Sequence, residues 1–156
     1  MSKLFDFPMY GNIKLSLELP SDLVYVIGDS GVGKSLMVGT IMNMHSEGIV
    51  QEAIAFNEVT LGVYENLTSQ EINRILHNFA MTYRLIVLDN LEMLSDKLND
   101  LLFNWVQTSD AQCHFLIMDR QGHHWTVPPQ DKMNIRAQRD QNTGIIQITL
   151  VQAEGV

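Results

Sequence analysis

The sequence predicts an α/β fold: a mostly parallel sheet with helices on both faces, an N-terminal edge strand and a C-terminal hairpin, within one domain of residues 1–156. Three observations predict it. Short, uniformly apolar runs recur along the chain, as buried strands do. Stretches with helical apolar spacing separate them. A glycine-rich turn, Gly28-Asp29-Ser30-Gly31-Val32-Gly33-Lys34-Ser35, joins one apolar run directly to a helical stretch.

Along the chain, residues 13–19 (Ile13, Lys14, Leu15, Ser16, Leu17, Glu18, Leu19) alternate at period two, and Pro20-Ser21-Asp22 turns towards the next run, predicting an edge hairpin. Leu23, Val24, Tyr25, Val26 and Ile27 form a buried strand that enters the glycine-rich turn, and residues 35–42 leave it as a helix. Ala53-Ile54-Ala55-Phe56 is a short buried strand ending at Asn57-Glu58. Ile72, Ile75, Leu76 and Phe79 follow helical spacing, with Ser69 as the N-cap and Glu71 in the first turn. Residues 84–88 make a third apolar strand, which terminates in Asp89-Asn90. Leu91, Leu94, Leu98, Leu101, Leu102 and Trp105 predict one amphipathic helix to about Gln107. His114 to Met118 is a fourth buried strand, ending at Asp119-Arg120-Gln121. Met133, Ile135 and Ala137 alternate with polar residues, and Asp140-Gln141-Asn142-Thr143-Gly144 turns into residues 145–150, the terminal hairpin.

The chain carries 10 lysines and arginines against 18 aspartates and glutamates, a net charge of −8 that repels phosphate backbones as a whole. Lys132, Arg136 and Arg139 are the nearest approach to a basic patch, and a solvated strand face is the simpler account of them. The apolar runs have strand length, so no membrane-spanning helix is expected, and residues 1–8 lack the apolar stretch of a signal peptide. A cytoplasmic chain with a single unpaired thiol, Cys113, is the expectation.

Gly28 to Ser35 fits the phosphate-binding template of Gly, four residues, Gly-Lys and then Ser or Thr. A polyphosphate has to be wrapped by backbone N–H groups, and only a backbone without side chains comes close enough. The helix beginning near Lys34, with Ser35 and Leu36 in its first turn, adds the positive end of its dipole. Lys34 would reach the β- and γ-phosphates and the Ser35 hydroxyl would hold Mg²⁺. Asp89, a carboxylate ending an apolar strand, has the pattern of a Walker B element that orients Mg²⁺ through a water.

These residues resemble the ATPase core of the RecA-type P-loop proteins over roughly residues 23–150. The resemblance implies a three-layer P-loop NTPase fold, with ATP as the nucleotide. It also implies roles: Glu58 acting on the attacking water, Asp89-Asn90-Leu91 as the Walker B segment, and Gln121 or Asp119 sensing the γ-phosphate. Asn90 departs from the pattern, since many P-loop ATPases carry a catalytic glutamate there, so hydrolysis would depend on Glu58, or on Glu92. A basic finger segment of the kind that often follows the last strand in that family is not expected, and residues 1–156 hold no Asn-Lys-x-Asp base-recognition motif of GTPases.

Arg120, Arg136 and Arg139 are candidates for an arginine finger supplied in a homo-oligomer or hetero-complex. Cys113, His114, His123 and His124 are weak candidates for zinc, which needs four convergent ligands. The leading expectation is an ATP-binding protein with Mg²⁺-dependent hydrolysis coupled to a partner. A catalytically silent nucleotide-binding scaffold is the alternative, motivated by Asn90, and a small-molecule kinase is disfavoured by the lack of an arginine-rich lid.

Overall fold

A computed structural model describes residues 2–27, 32–109, 112–118 and 132–152. Eight strands form one sheet: β1 (Lys3–Asp6), β2 (Ile13–Leu19), β3 (Leu23–Val26), β4 (Ala53–Phe56), β5 (Leu85–Leu88), β6 (His114–Met118), β7 (Lys132–Arg139) and β8 (Ile146–Gln152). Their spatial order is β1-β2-β8-β7-β3-β6-β5-β4. The described helices are α1 (Val32–Ser46), α2 (Glu58–Gly62), α3 (Ser69–Thr82) and α4 (Asp96–Thr108), with a 3₁₀ turn at Leu91–Met93.

The α/β class stands, and the sheet is mixed. β7, β3, β6, β5 and β4 form a parallel block. β8 runs antiparallel to β7, β2 parallel to β8, and β1 antiparallel to β2.

The two regions of the sheet bury different numbers of faces, and the residue patterns say why. In the block, successive side chains point to opposite faces. Val24, Val26, Ala53, Ala55, Leu85, Val87, Leu116 and Met118 join one core cluster with Met37, Val38, Ile41 and Met44 of α1. Their neighbours Tyr25, Phe56, Ile86, Leu88, Phe115 and Ile117 join a second cluster with Ile72 and Leu76 of α3 and Leu98 and Leu102 of α4. A strand buried on both faces has to be apolar, as β3 and β5 are throughout and β6 is after its first residue, His114. The alternating strands contribute to the first cluster alone, through Leu15, Leu17 and Leu19 of β2 and Ile148 and Leu150 of β8.

That division corrects the expected hairpin between residues 13–19 and 23–27. β2 pairs with β1 and β8, and both β8 and β7 stand between it and β3. Both edges of β3 are taken by parallel neighbours, β6 and β7. The C-terminal hairpin forms as expected, from Met133↔Gln152 to Arg139↔Ile146, and it lies inside the sheet, with β1 and not β2 as the N-terminal edge.

Local capping moves two helix starts. The N-cap of α3 is Thr68, not Ser69: its side chain accepts from Glu71 N at 3.2 Å and Thr68 N donates to Glu71 Oε1 at 3.0 Å, a reciprocal capping box. The single helix expected from Leu91 is divided into the 3₁₀ turn and α4, whose N-cap Ser95 accepts from Leu98 N at 3.2 Å. Asn99, buried at 1% exposure, holds that junction by donating Nδ2 to the carbonyls of Leu91 at 2.7 Å, Ser95 at 3.2 Å and Leu94 at 3.4 Å. No described helix is long and apolar enough to cross a membrane.

Candidate functional site

Because the block is parallel, the carboxyl ends of β3, β4, β5 and β6 lie along one edge of the sheet. The residues that follow three of them are the candidates: the glycine-rich motif Gly28 to Ser35 after β3, Asn57-Glu58 after β4 and Asp89-Asn90 after β5. Gly28, Asp29, Ser30 and Gly31 of the motif lie outside the described residues, as do Asp119, Arg120, Gln121, His123, His124 and Trp125.

The described part of the motif opens α1. Gly33 is partly buried against β7, and a Cβ built on it would come 2.9 Å from Ile135 Cγ2. Glycine there lets the start of the helix sit against the sheet. Lys34 is a buried cationic residue at 8% exposure, while Ser35 is exposed and Leu36 half-buried, packed against the first core cluster. The motif thus carries its lysine under cover and its hydroxyl at the surface.

β4 and β5 pair in parallel up to Phe56↔Leu88, and Asp89 N donates to Phe56 O at 2.9 Å, extending the pairing by one bond. This brings Glu58 and Asp89-Asn90 side by side. Asn57 closes the start of α2: its side-chain oxygen accepts from Val59 N at 3.0 Å and Thr60 N at 3.1 Å, and Thr60 Oγ1 accepts from Asn57 N at 2.9 Å. Glu58, expected to follow directly on the end of the strand, is therefore the first residue of a short helix with a fixed start. Sequence reasoning missed α2 because five residues with one buried side chain, Leu61, carry almost no periodic signal.

Asn90 has φ 57° and ψ 38°, the left-handed region that L-residues seldom occupy and that asparagine tolerates best. Its backbone N–H donates to Asp89 Oδ1 at 2.9 Å, and its side-chain Nδ2 donates to Glu58 Oε2 at 2.8 Å. The residue marked in the sequence as a departure is thus the one that joins the two strand ends. The only clue in the chain was the residue type, an asparagine straight after an apolar strand.

Other candidates are dispersed. Lys132 and Arg136 of β7 share one face by strand alternation and Arg139 takes the other, so the three do not make one basic surface. Both arginines are exposed. Cys113 is buried, and burial pushes its thiol up to about 12. His114 approaches Asp22 at 3.3 Å and meets the Phe5 ring edge-on at 5.6 Å. Its pKa is lowered, chiefly by burial, against the attraction of Asp22.

Among the described residues no group of three or more His, Cys, Asp or Glu side chains could cage a metal ion. Ser35, in the first turn of α1, and Asp89, directly after β5, are the residues expected from the sequence to hold Mg²⁺. Mg²⁺ keeps most of its waters and takes one or two protein ligands together with substrate phosphates, which asks for no cage.

No protein-family model, curated protein or solved structure matches this chain.

Proposed function

We propose that the protein binds ATP at the turn between β3 and α1 and hydrolyses it slowly with Mg²⁺, its sheet and helices being a three-layer P-loop fold of the RecA type extended by β1, β2 and β8. The observation that supports this most is an alignment of independent features. A phosphate-binding motif, a strand-ending aspartate and a carboxylate bonded beside it all follow the carboxyl ends of one parallel block. That is where open α/β sheets take their ligands.

In this reading the loop amides wrap the phosphates and the Lys34 ammonium balances their charge. Ser35 and Asp89 would hold Mg²⁺, which when bound supplies charge neutralisation on the phosphate oxygens. A water oxygen bonds to the γ-phosphorus, the bond to the β-phosphate oxygen breaks with its electron pair leaving on ADP, and the water's proton passes to Glu58. Gln121 or Asp119 would meet the γ-phosphate, and an arginine from a second subunit or a partner would complete the charge balance.

Titration calorimetry of Lys34→Ala with Mg·ATP tests the site. Binding should be lost, and wild-type affinity in that variant would refute the assignment. Phosphate release, with and without a candidate partner, separates an ATPase from a nucleotide-binding scaffold: a scaffold releases none and is indifferent to Glu58→Gln.

A further inference from the structure

We propose that Asn90 is a positioning residue for Glu58: its side-chain amide, carried over the end of β4 by a left-handed backbone, fixes one carboxylate oxygen and leaves the other to take the proton of the attacking water. This rests on the reading of Glu58 as the group that activates that water.

The geometry carries it in three steps. First, the amide nitrogen can only donate, so the 2.8 Å contact uses Oε2 as acceptor and sets the direction of the whole planar group. A carboxylate has about four lone-pair sites, and one amide leaves acceptor capacity for a water. Second, Asn90 is held on both sides. Its own N–H is bonded to Asp89 Oδ1 at 2.9 Å, and the carbonyl of the next residue, Leu91, accepts from buried Asn99 at 2.7 Å. Third, Asn90 is the single non-glycine residue with positive φ among the described residues. Backbone held in a sparsely populated region persists only where its surroundings over-determine it. The left-handed turn sets where the side chain leaves the backbone, and here that direction leads to the neighbouring strand end.

Glu58 is constrained from its own side by the Asn57 and Thr60 capping box. The carboxylate is thus fixed at its backbone by α2 and at its tip by Asn90. The water's proton goes to the free oxygen, while the bond to γ-phosphorus forms and the bond to ADP breaks, with no change of oxidation state.

The test measures steady-state phosphate release from ATP, ATP affinity and thermal unfolding for the wild type, Asn90→Asp, Asn90→Gly, Glu58→Gln and the double variant Glu58→Gln/Asn90→Gly. Asn90→Asp keeps the shape and replaces the donor with a repelling carboxylate. Asn90→Gly removes the amide and suits the left-handed backbone, so the fold is retained. Both should lower kcat on the order of 10- to 100-fold, the scale of a misplaced catalytic group, with KM for ATP nearly unchanged. Adding Asn90→Gly to Glu58→Gln should cost nothing further, because the two act through one group. Wild-type kcat in both Asn90 variants, alongside an inactive Glu58→Gln, would overturn the positioning role and leave the ATPase reading intact. No ATP-dependent release from the wild type would instead remove the reading of Glu58 and the proposal with it.

Discussion

Helix α1 contains two glycines, and alanine at each should move stability in opposite directions. A Cβ at Gly39 has nothing within 4 Å, so Gly39→Ala gains helix propensity alone, about 1 kcal/mol. A Cβ at Gly33 would meet Ile135 Cγ2 at 2.9 Å, Ala137 Cβ at 3.6 Å and Ile135 Cβ at 3.8 Å. Cγ2 is a branch methyl on a β-branched side chain whose χ1 is stiff, so rotation offers little relief and the helix has to move from β7. Overpacking of this kind costs about 1–3 kcal/mol, against the propensity gain of about 1 kcal/mol, leaving a net loss of about 1 kcal/mol. The two variants should differ by about 2 kcal/mol, or roughly 4–8 °C in Tm for a chain of this size. Urea and thermal unfolding followed by circular dichroism measure it. Ile135→Ala removes the opposing methyl, and on that background Gly33→Ala should become neutral or stabilising. Equal stabilisation by both alanines, or no change in the Ile135→Ala background, would refute the close approach of α1 to β7.

Further outcomes are expected at Asn99, Cys113 and His114. Asn99→Leu leaves the Leu91 carbonyl without its buried donor and should cost about 1–3 kcal/mol in urea unfolding; a neutral variant would deny Asn99 its hold on the 3₁₀ turn. Cys113 should resist a thiol reagent at pH 8 in the folded protein and react readily in guanidinium, because burial raises its pKa to about 12. The folded state keeps that proton while the unfolded state loses it from about 9 upwards, so this group makes stability fall as pH rises from about 9 to about 12. His114 has the opposite sign: its pKa is depressed below 6.5, so the unfolded state takes up a proton first and stability falls as pH drops below that value. Asp22→Asn removes the attraction that opposes burial and should lower the His114 pKa further in an NMR titration, and an unchanged midpoint would discount the 3.3 Å contact.

Much of the fold was legible in short stretches. The four runs read as buried strands are strands of the parallel block, and the alternation in residues 13–19 is a strand with one buried face. The cap of α3 was placed one residue late, at Ser69, although Thr and Glu three residues apart form the box from Thr68 to Glu71. β1 was not legible, because Lys3–Asp6 turns one apolar residue, Phe5, inwards and leaves the rest exposed, too little for a periodic signal. The division after Leu91 was hidden because Leu91, Leu94 and Leu98 keep helical spacing across it, and the break depends on Asn99 reaching back to the turn's carbonyls.

What the sequence by itself determined is local: the apolar runs, the strand before the glycine-rich turn and the helix after it, and the carboxylates that follow strands. These follow from periodicity, chain stiffness and the conformational freedom of glycine, which act over a few residues. The tertiary structure decided the order of the strands, and hence which strand ends became neighbours. Periodicity says which faces a strand buries, and it says nothing about which strand lies alongside. Glu58 and Asn90, 32 positions apart, meet only because β4 and β5 pair in register and Asn90 turns left-handed at the end of its strand.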